Sequence, residues 1–280
     1  MKKADTTLPL QRLCAVFGVS ISSYYDHKKA VARPSKDENI SLRIEALHQE
    51  HLHCYGKRRM QKALEKEGVS IGTFKVARLM KKVGVVDKIP KKHHYYPAGN
   101  EKPTIPNLLK RQFNPETLNM HWVGDITYIR NHQGWGYLAT VLDLRTREIV
   151  GYAISTTPDD QLAKDALLNA ISLMQPNTKK LMFHSDQGVQ YSANLFKDCL
   201  QLHGITQSMS RRGNCWDNAV QERFFRSLKS EYLNGLTFLN HNSVIRAATF
   251  YIRYYNNKRL HSSLDYMVPA QKRKILENVA

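Results

Sequence analysis

Residues 121–155 read HWVGDITYIRNHQGWGYLATVLDLRTREIVGYAIS. Trp122, Gly124, Ile126 and Tyr128 alternate there with Val123, Asp125, Thr127 and Ile129, the period of two that a strand imposes. Asn131-His132-Gln133-Gly134 supplies a hairpin turn, residues 135–145 a second strand, Thr146-Arg147 another turn and residues 148–155 a third strand. The stretch therefore predicts three consecutive antiparallel strands.

Downstream the pattern switches. Residues 160–174, DQLAKDALLNAISLM, carry apolar residues at helical spacing. LMFHSD (181–186) is a short apolar run without alternation, as in a strand buried on both faces. A helix is expected at 193–203, a short strand at 205–210, and a helical run through NAVQERFFRSLKSEY. Three antiparallel strands, then helix, strand, helix, strand and helix, predict an α/β mixed sheet flanked by helices, the order of the ribonuclease H-like fold.

Three carboxylates fall at telling places in that order. Asp125 sits mid-strand among apolar and β-branched neighbours, Asp186 ends the buried strand, and Glu222 lies in the last helix. A charge in a buried strand is costly unless it meets a partner or a metal. Hard divalent cations take oxygen ligands. Two such ions, about 3.5–4 Å apart, clamp the attacking and leaving oxygens of an in-line phosphoryl displacement. Asp125, Asp186 and Glu222 are thus the candidate catalytic and metal-binding residues. Any one of the 24 acids alone would more readily be explained by a salt bridge.

The charge points the same way. There are 42 Lys and Arg against 24 Asp and Glu, a net +18, so the expected partner is a polyanion such as DNA. Residues 1–100 hold 20 basic and 9 acidic residues, the more basic part of the chain. Within it, Gly18-Val19-Ser20 separates two short helical patterns in residues 8–28, with Leu10, Leu13, Cys14 and Phe17 as the apolar set and Ser20 as a cap. A second unit places Ile40, Ile44 and Leu47 on one helix, Met60 and Leu64 on the next, and Phe74, Leu79 and Met80 on a third after the turn Gly68-Val69-Ser70. The exposed face of that third helix carries Lys75, Arg78, Lys81 and Lys82, candidates for DNA contact in a helix–turn–helix. A plain helical bundle with solvated lysines fits the pattern equally, and the excess charge decides for DNA. The expected organisation is a helix–turn–helix region over 1–87, a proline-rich linker over 88–117 and a core with a helical tail over 118–280.

Other residues have two readings each. His48, His51, His53 and Cys54 suggest zinc, but no CxxC pair follows, and they read instead as a helix end and its exit. His184 and Ser185 either orient Asp186 or satisfy local backbone. Asp143 reads as an ion-pair partner of Arg145 or Arg147, and Asp217 and Asn218 as caps of the Glu222 helix. Arg211 and Arg212 are either phosphate contacts or solvated charges. Lys229, seven residues after Glu222, returns to nearly the same helix face at about 3.6 residues per turn, where a cation would hold a DNA phosphate beside the cut. There is no run of about 18 apolar residues to span a membrane, no secretory signal pattern, and no disulfide-scaffold cysteine density, which together imply the cytoplasm, with the nucleoid as the place of work.

With 35 residues between Asp186 and Glu222, the triad resembles the DD(35)E pattern of integrases and insertion-sequence transposases. HWVGDITYI, FHSDQGVQYSA, SMSRRGNCWDNAVQERFFRSLKSEY and YYNNKRLHSSLDYMVPAQ resemble the second-frame subunit of the insertion-sequence-three family over about residues 40–275. One departure is Arg259-Leu260-His261 followed by Asp265, where that family usually has Arg-Pro-His and a later Gly; it touches only the packing of the tail. The resemblance implies a transposase that binds terminal inverted repeats, cleaves them hydrolytically and joins the 3′-OH to target DNA. It also implies two Mg²⁺ (or Mn²⁺) ions, a homo-oligomer of at least two copies on DNA, and an upstream-frame (OrfA) partner or fusion. A non-catalytic helix–turn–helix repressor, or a nuclease of the same fold without end joining, would fit parts of the sequence.

Overall fold

The computed structural model describes residues 9–32, 36–86, 105–211 and 215–278. The chain opens with α1 (Leu10–Val16) and α2 (Ile21–Ala32), turned by Gly18 at φ 62°. The Ser20 hydroxyl accepts from the Ser23 N–H at 3.0 Å, the expected cap. Of this unit's apolar set only Cys14 is buried, and Phe17 stands open to solvent. α3 (Lys36–Glu50), α4 (Lys57–Lys66) and α5 (Thr73–Lys82) form the second unit. Ile44, Leu47, Met60, Leu64, Val76 and Leu79 close its core. Phe74, expected in that core, is 88% exposed; Val76, two residues on, turns inward in its place.

Residues 105–113 of the expected linker do not run free. Leu109 is buried in the core beside Val123 and Leu138, and the Pro106 carbonyl accepts from the Met209 N–H at 3.3 Å.

β1 (His121–Asn131), β2 (Gly134–Asp143) and β3 (Ile149–Ser155) are antiparallel neighbours, with Asp125 opposite Thr140. β4 (Met182–Ser185) runs parallel to β1, and β5 (Thr206–Met209) parallel to β4. The sheet order is β3-β2-β1-β4-β5, and each strand lies within two residues of its expected bounds. α6 (Asp160–Met174), α7 (Val189–Ser192) and α8 (Asn194–Leu202) cover one face. Trp122, Ala139, Val150 and Phe183 meet Leu167 and Phe196 there. A Cβ on Gly151 would lie 2.5 Å from Ala170, so glycine is what allows α6 to approach β3 this closely. The other face takes α9 (Ala219–Glu231) and α10 (His241–Asn257), through Phe224, Leu228, Val244 and Tyr251. α11 (Pro269–Glu277) closes the chain. Among the described residues no helix is long and apolar enough to cross a membrane.

The helix–turn–helix unit is fastened to the second face. Leu260 joins the α3–α5 core. Its N–H donates to the Tyr55 hydroxyl at 2.8 Å, and the Cys54 thiol donates to the Glu231 carbonyl at 3.2 Å. The histidines beside Cys54 are packing groups as well. His51 stacks on Tyr55 with ring centroids 3.9 Å apart, and His48 meets His53 edge-on.

Candidate active site

Side chains alternate along a strand. On β1, Trp122 and Ile126 belong to the α6 face and Val123 and Ile129 to the α9 face, so Asp125 points toward α9. In the parallel ladder Val123 pairs with His184. Asp125 and Asp186 each lie two residues beyond that pair, which brings Asp125, within β1, beside Asp186, just past the end of β4. Glu222, in the first turn of α9, overlies them. Gly124 makes the arrangement possible, because a Cβ there would meet the Phe183 ring at 2.3 Å.

The three acids act on one another's titration. The Asp125 carboxyl is held well above the usual carboxylate range, by burial first and then by the charges of Asp186 and Glu222. Burial also raises Asp186, whose Oδ1 accepts the Gly188 N–H at 3.0 Å. Glu222 is raised by burial and by Asp186, with Arg226 opposing. The Tyr191 hydroxyl, buried alongside, is pushed up by burial and by both aspartates. Lys229 is half-buried, and its charge acts on Asp125, which places it on the acidic side of α9 as the helical spacing predicts.

The donor set suits a hard dication: three carboxylates that repel one another, with no sulfur or imidazole among them. Among the described residues no three His, Cys, Asp or Glu side chains close on one point tightly enough to enclose an ion.

Gln221, absent from the sequence reading, and Asn218, expected there only as a cap, hold Glu222 over the strands. The Gln221 amide donates to the Thr140 hydroxyl, the cross-strand neighbour of Asp125. The Asn218 amide donates to the Gly124 carbonyl at 3.3 Å. Asn218 does occupy the N-cap of α9, yet its side chain makes no cap bond; the strand takes it instead.

Asp217 is not a cap either. Its buried carboxylate accepts from Arg111 Nε at 2.7 Å, Asn107 Nδ2 at 2.9 Å and Arg211 Nε at 3.5 Å. Burial alone would raise its pKa, but these cations and hydrogen bonds hold it below the usual range. His184 does not orient Asp186. Its Nδ1 meets the Ser208 hydroxyl at 2.8 Å and its Nε2 the Asp217 carbonyl at 3.1 Å. The Ser208 oxygen already accepts the Leu108 and Leu109 N–H groups, so its own proton goes to Nδ1 and Nε2 carries the ring hydrogen. Burial keeps that ring neutral, with a pKa near 4. Ser185 donates to its neighbour's backbone carbonyl, the local role. Asp143 is structural, but its partners are the Thr146 N–H and hydroxyl and the Asn119 N–H rather than an arginine. Arg147 donates to Asn114 instead, at 2.5 Å.

Of the expected DNA contacts, Lys81 and Lys82 are exposed. Lys75 binds Asp37 at 2.6 Å and Arg78 reaches it at 3.7 Å. Arg211 is exposed beyond its Asp217 contact, and Arg212 lies outside the described residues.

Comparison with known proteins agrees with this layout. Residues 34–93 match a family model described as an HTH-like domain, and residues 115–215 and 203–269 match models of an integrase core domain. A 31 kDa protein of insertion element IS600 from Shigella sonnei is 37% identical over 272 residues, covering 96% of this chain and all of the relative. The putative transposase InsK of IS150 from Escherichia coli K12 is 36% identical, covering 95% of this chain and 93% of the relative. The transposase InsF of IS3A from the same organism is 31% identical, covering 97% and 96%. Among solved structures, the HTLV-2 integrase catalytic core with magnesium aligns at a TM-score of 0.44 and 18% identity, over 56% of this chain and 97% of that one. Relatives this similar over nearly the whole length, on an integrase core carrying its acids on two strands and a helix, leave one assignment: the chain belongs to the insertion-sequence transposases, enzymes of the DDE polynucleotidyl transferase type that recombine DNA.

Proposed function

We propose that Asp125, Asp186 and Glu222 bind two Mg²⁺ or Mn²⁺ ions and that the chain cuts the ends of its element and joins them to target DNA there. The observation that carries this is that Asp125 and Asp186 each lie two residues past the Val123–His184 pair of the parallel strands, where the charges of Asp186 and Glu222 both act on Asp125. When bound, such ions polarise phosphoryl oxygens and acidify an attacking hydroxyl.

The chain's own groups do the positioning. Gln221 and Asn218 fix Glu222 over the two aspartates. Lys229, on the same side of α9, holds a phosphate beside the scissile bond. In cleavage, water attacks the end phosphodiester, a P–O bond breaks and a 3′-OH leaves. In joining, that 3′-OH attacks a target phosphodiester and displaces the target's own 3′ oxygen. Lys75, Arg78, Lys81 and Lys82 of α5, with Arg211 and Arg212, contact DNA outside the cut. A second copy holds the other end, and an upstream-frame OrfA segment is the expected further partner. The enzyme works in the cytoplasm, on the nucleoid.

The test is joining of a labelled terminal-repeat duplex to plasmid DNA with Mg²⁺. Asp186→Asn abolishes cleavage and joining and leaves DNA binding nearly intact. Retained joining by that variant overturns the assignment.

A further inference from the structure

A cleft of about 440 Å³ separates the first turn of α4 from α9 and from the chain around residues 259–266. Lys57, Arg58 and Arg59 enter it from α4, Arg223 and Arg226 from α9, and Arg259 from beyond α10. Glu231 is the acid among its lining residues, and it is already engaged by Arg259 at 2.7 Å and Arg59 at 3.4 Å. Lys57, Arg58 and Arg223 are exposed, and among the described residues none of them reaches a carboxylate. The charge is felt nearby: burial first, then Arg259, Arg147, Arg59 and Arg223 push His261 down to about 3.

The cleft continues the catalytic face. At about 100° per residue, Lys229 lies about 20° to one side of Glu222 on α9, while Arg226 lies about 40°, Ser230 about 80° and Arg223 about 100° to the other. The helix surface therefore passes without a break from the acids to the cleft wall. On the opposite wall α4 begins with three cations and no acidic residue in its first turn, although that helix end favours negative charge. A bound polyanion would offset both the crowding of cations and this placement.

We propose that the cleft holds the phosphodiester backbone of the element-end DNA between α5 and the carboxylates. One chain then grips the same duplex end continuously, from its helix–turn–helix unit to its catalytic site. The proposal rests on the transposase reading above and adds its substrate path. The cations come from three elements, and six of them along one cleft suit a running backbone better than a small anion.

The experiment uses the full chain and a labelled terminal-repeat duplex, titrated without divalent metal at several salt concentrations. Arg58→Ala with Arg223→Ala should lower affinity at least tenfold and reduce the slope of log K against log [salt] by about 1.8, at about 0.9 per phosphate. Arg58→Lys with Arg223→Lys keeps both charges and should bind like the parent. Lys272→Ala with Lys274→Ala, on α11, is the control for bulk charge. All the substituted cleft groups are exposed, and matching thermal melts verify folding. A parent-like slope and affinity in the alanine pair, or an equal loss in the α11 pair, overturns the cleft assignment. Binding is read without metal, so a parent protein that fails to join DNA would count against the proposed function and leave this result standing.

Discussion

The Gln221 side chain is hydrogen-bonded to Thr140, the residue paired across the sheet with Asp125. The residue just before one of the acids proposed as catalytic is thereby bolted to the neighbour of another. Both partners are buried, so breaking the contact leaves an unsatisfied polar group and costs about 1–3 kcal/mol. It also frees the start of α9.

Gln221→Ala should therefore lower joining by roughly 10–100-fold, the usual effect of losing a group that orients a metal ligand, with end-DNA affinity unchanged. Parallel joining and binding assays check this. Full activity in a variant of lowered melting temperature would show that the contact only stabilises.

The Arg259–Glu231 pair gives a second prediction. Arg259 Nε lies 2.7 Å from Glu231, the Tyr251 hydroxyl donates to the same carboxylate at 2.8 Å, and both charged side chains are buried. Burial would raise the Glu231 pKa, but Arg259, Arg59 and Tyr251 hold it below its ordinary 4.5. Glu231→Ala strands a buried guanidinium and should destabilise the fold by about 3–5 kcal/mol. Urea unfolding measures it, and proteolysis between α5 and the core should accelerate, because Arg59 loses its contact on α9. A loss below about 1 kcal/mol, the range of an exposed pair, would show that the Arg259–Glu231 side-chain pair is not the clamp.

Phe74 carries a third. It is 88% exposed at the start of α5, on the surface shared with Arg78 and Lys81 at helical spacing. An apolar side chain on a helix that enters a major groove meets thymine methyl groups. Phe74→Ala should weaken binding to the element end by about 1–3 kcal/mol per lost base contact and leave binding to unrelated DNA unchanged. Competition titration with both duplexes measures the ratio. Equal losses on both would make Phe74 a general contact.

The strands and their acids were legible because alternation and chain order are local signals. Asp125 stands out as a charge inside an apolar strand, and Asp186 as the end of an unalternating one. The supports of the site left no such trace. Asp217 follows a short polar run that reads as a helix cap, and only the fold brings Arg111, 106 residues away, onto its carboxylate. Arg259 sits in the segment whose departure from the family pattern pointed to the tail alone, yet it meets Glu231 across 28 residues. Phe74 fits the apolar spacing of α5 as well as Val76 does; which one turns inward is set by packing against α3. Leu109 reads as linker because prolines surround it, and its burial depends on the sheet being present.

The last prediction concerns acid. His51 follows α3, stacked on Tyr55 and next to Tyr254, where the helix–turn–helix unit meets α10. Burial lowers its pKa from 6.5 to about 4; Glu50 and Glu67 oppose the shift, and Lys258 and Arg43 assist it. The unfolded chain therefore takes up this proton before the folded one. The stability that the neutral ring contributes is complete above pH 6.5 and is lost as pH falls from 6.5 toward 4. At about 1.4 kcal/mol per pH unit, and allowing for partial solvation, the loss at pH 4 is on the order of 2 kcal/mol. His51→Phe keeps a flat ring against Tyr55 and removes the proton. Its unfolding free energy should fall less steeply than the parent's between pH 6.5 and 4, with the two curves parallel above pH 7. Some acid lability must remain, because His184 and His261 are buried and depressed in the same way. Urea titrations at half-unit pH steps give both curves. Parallel curves throughout the range would mean that His51 takes up its proton in the folded chain as readily as in the unfolded one, and that the joint between the two units is indifferent to acid.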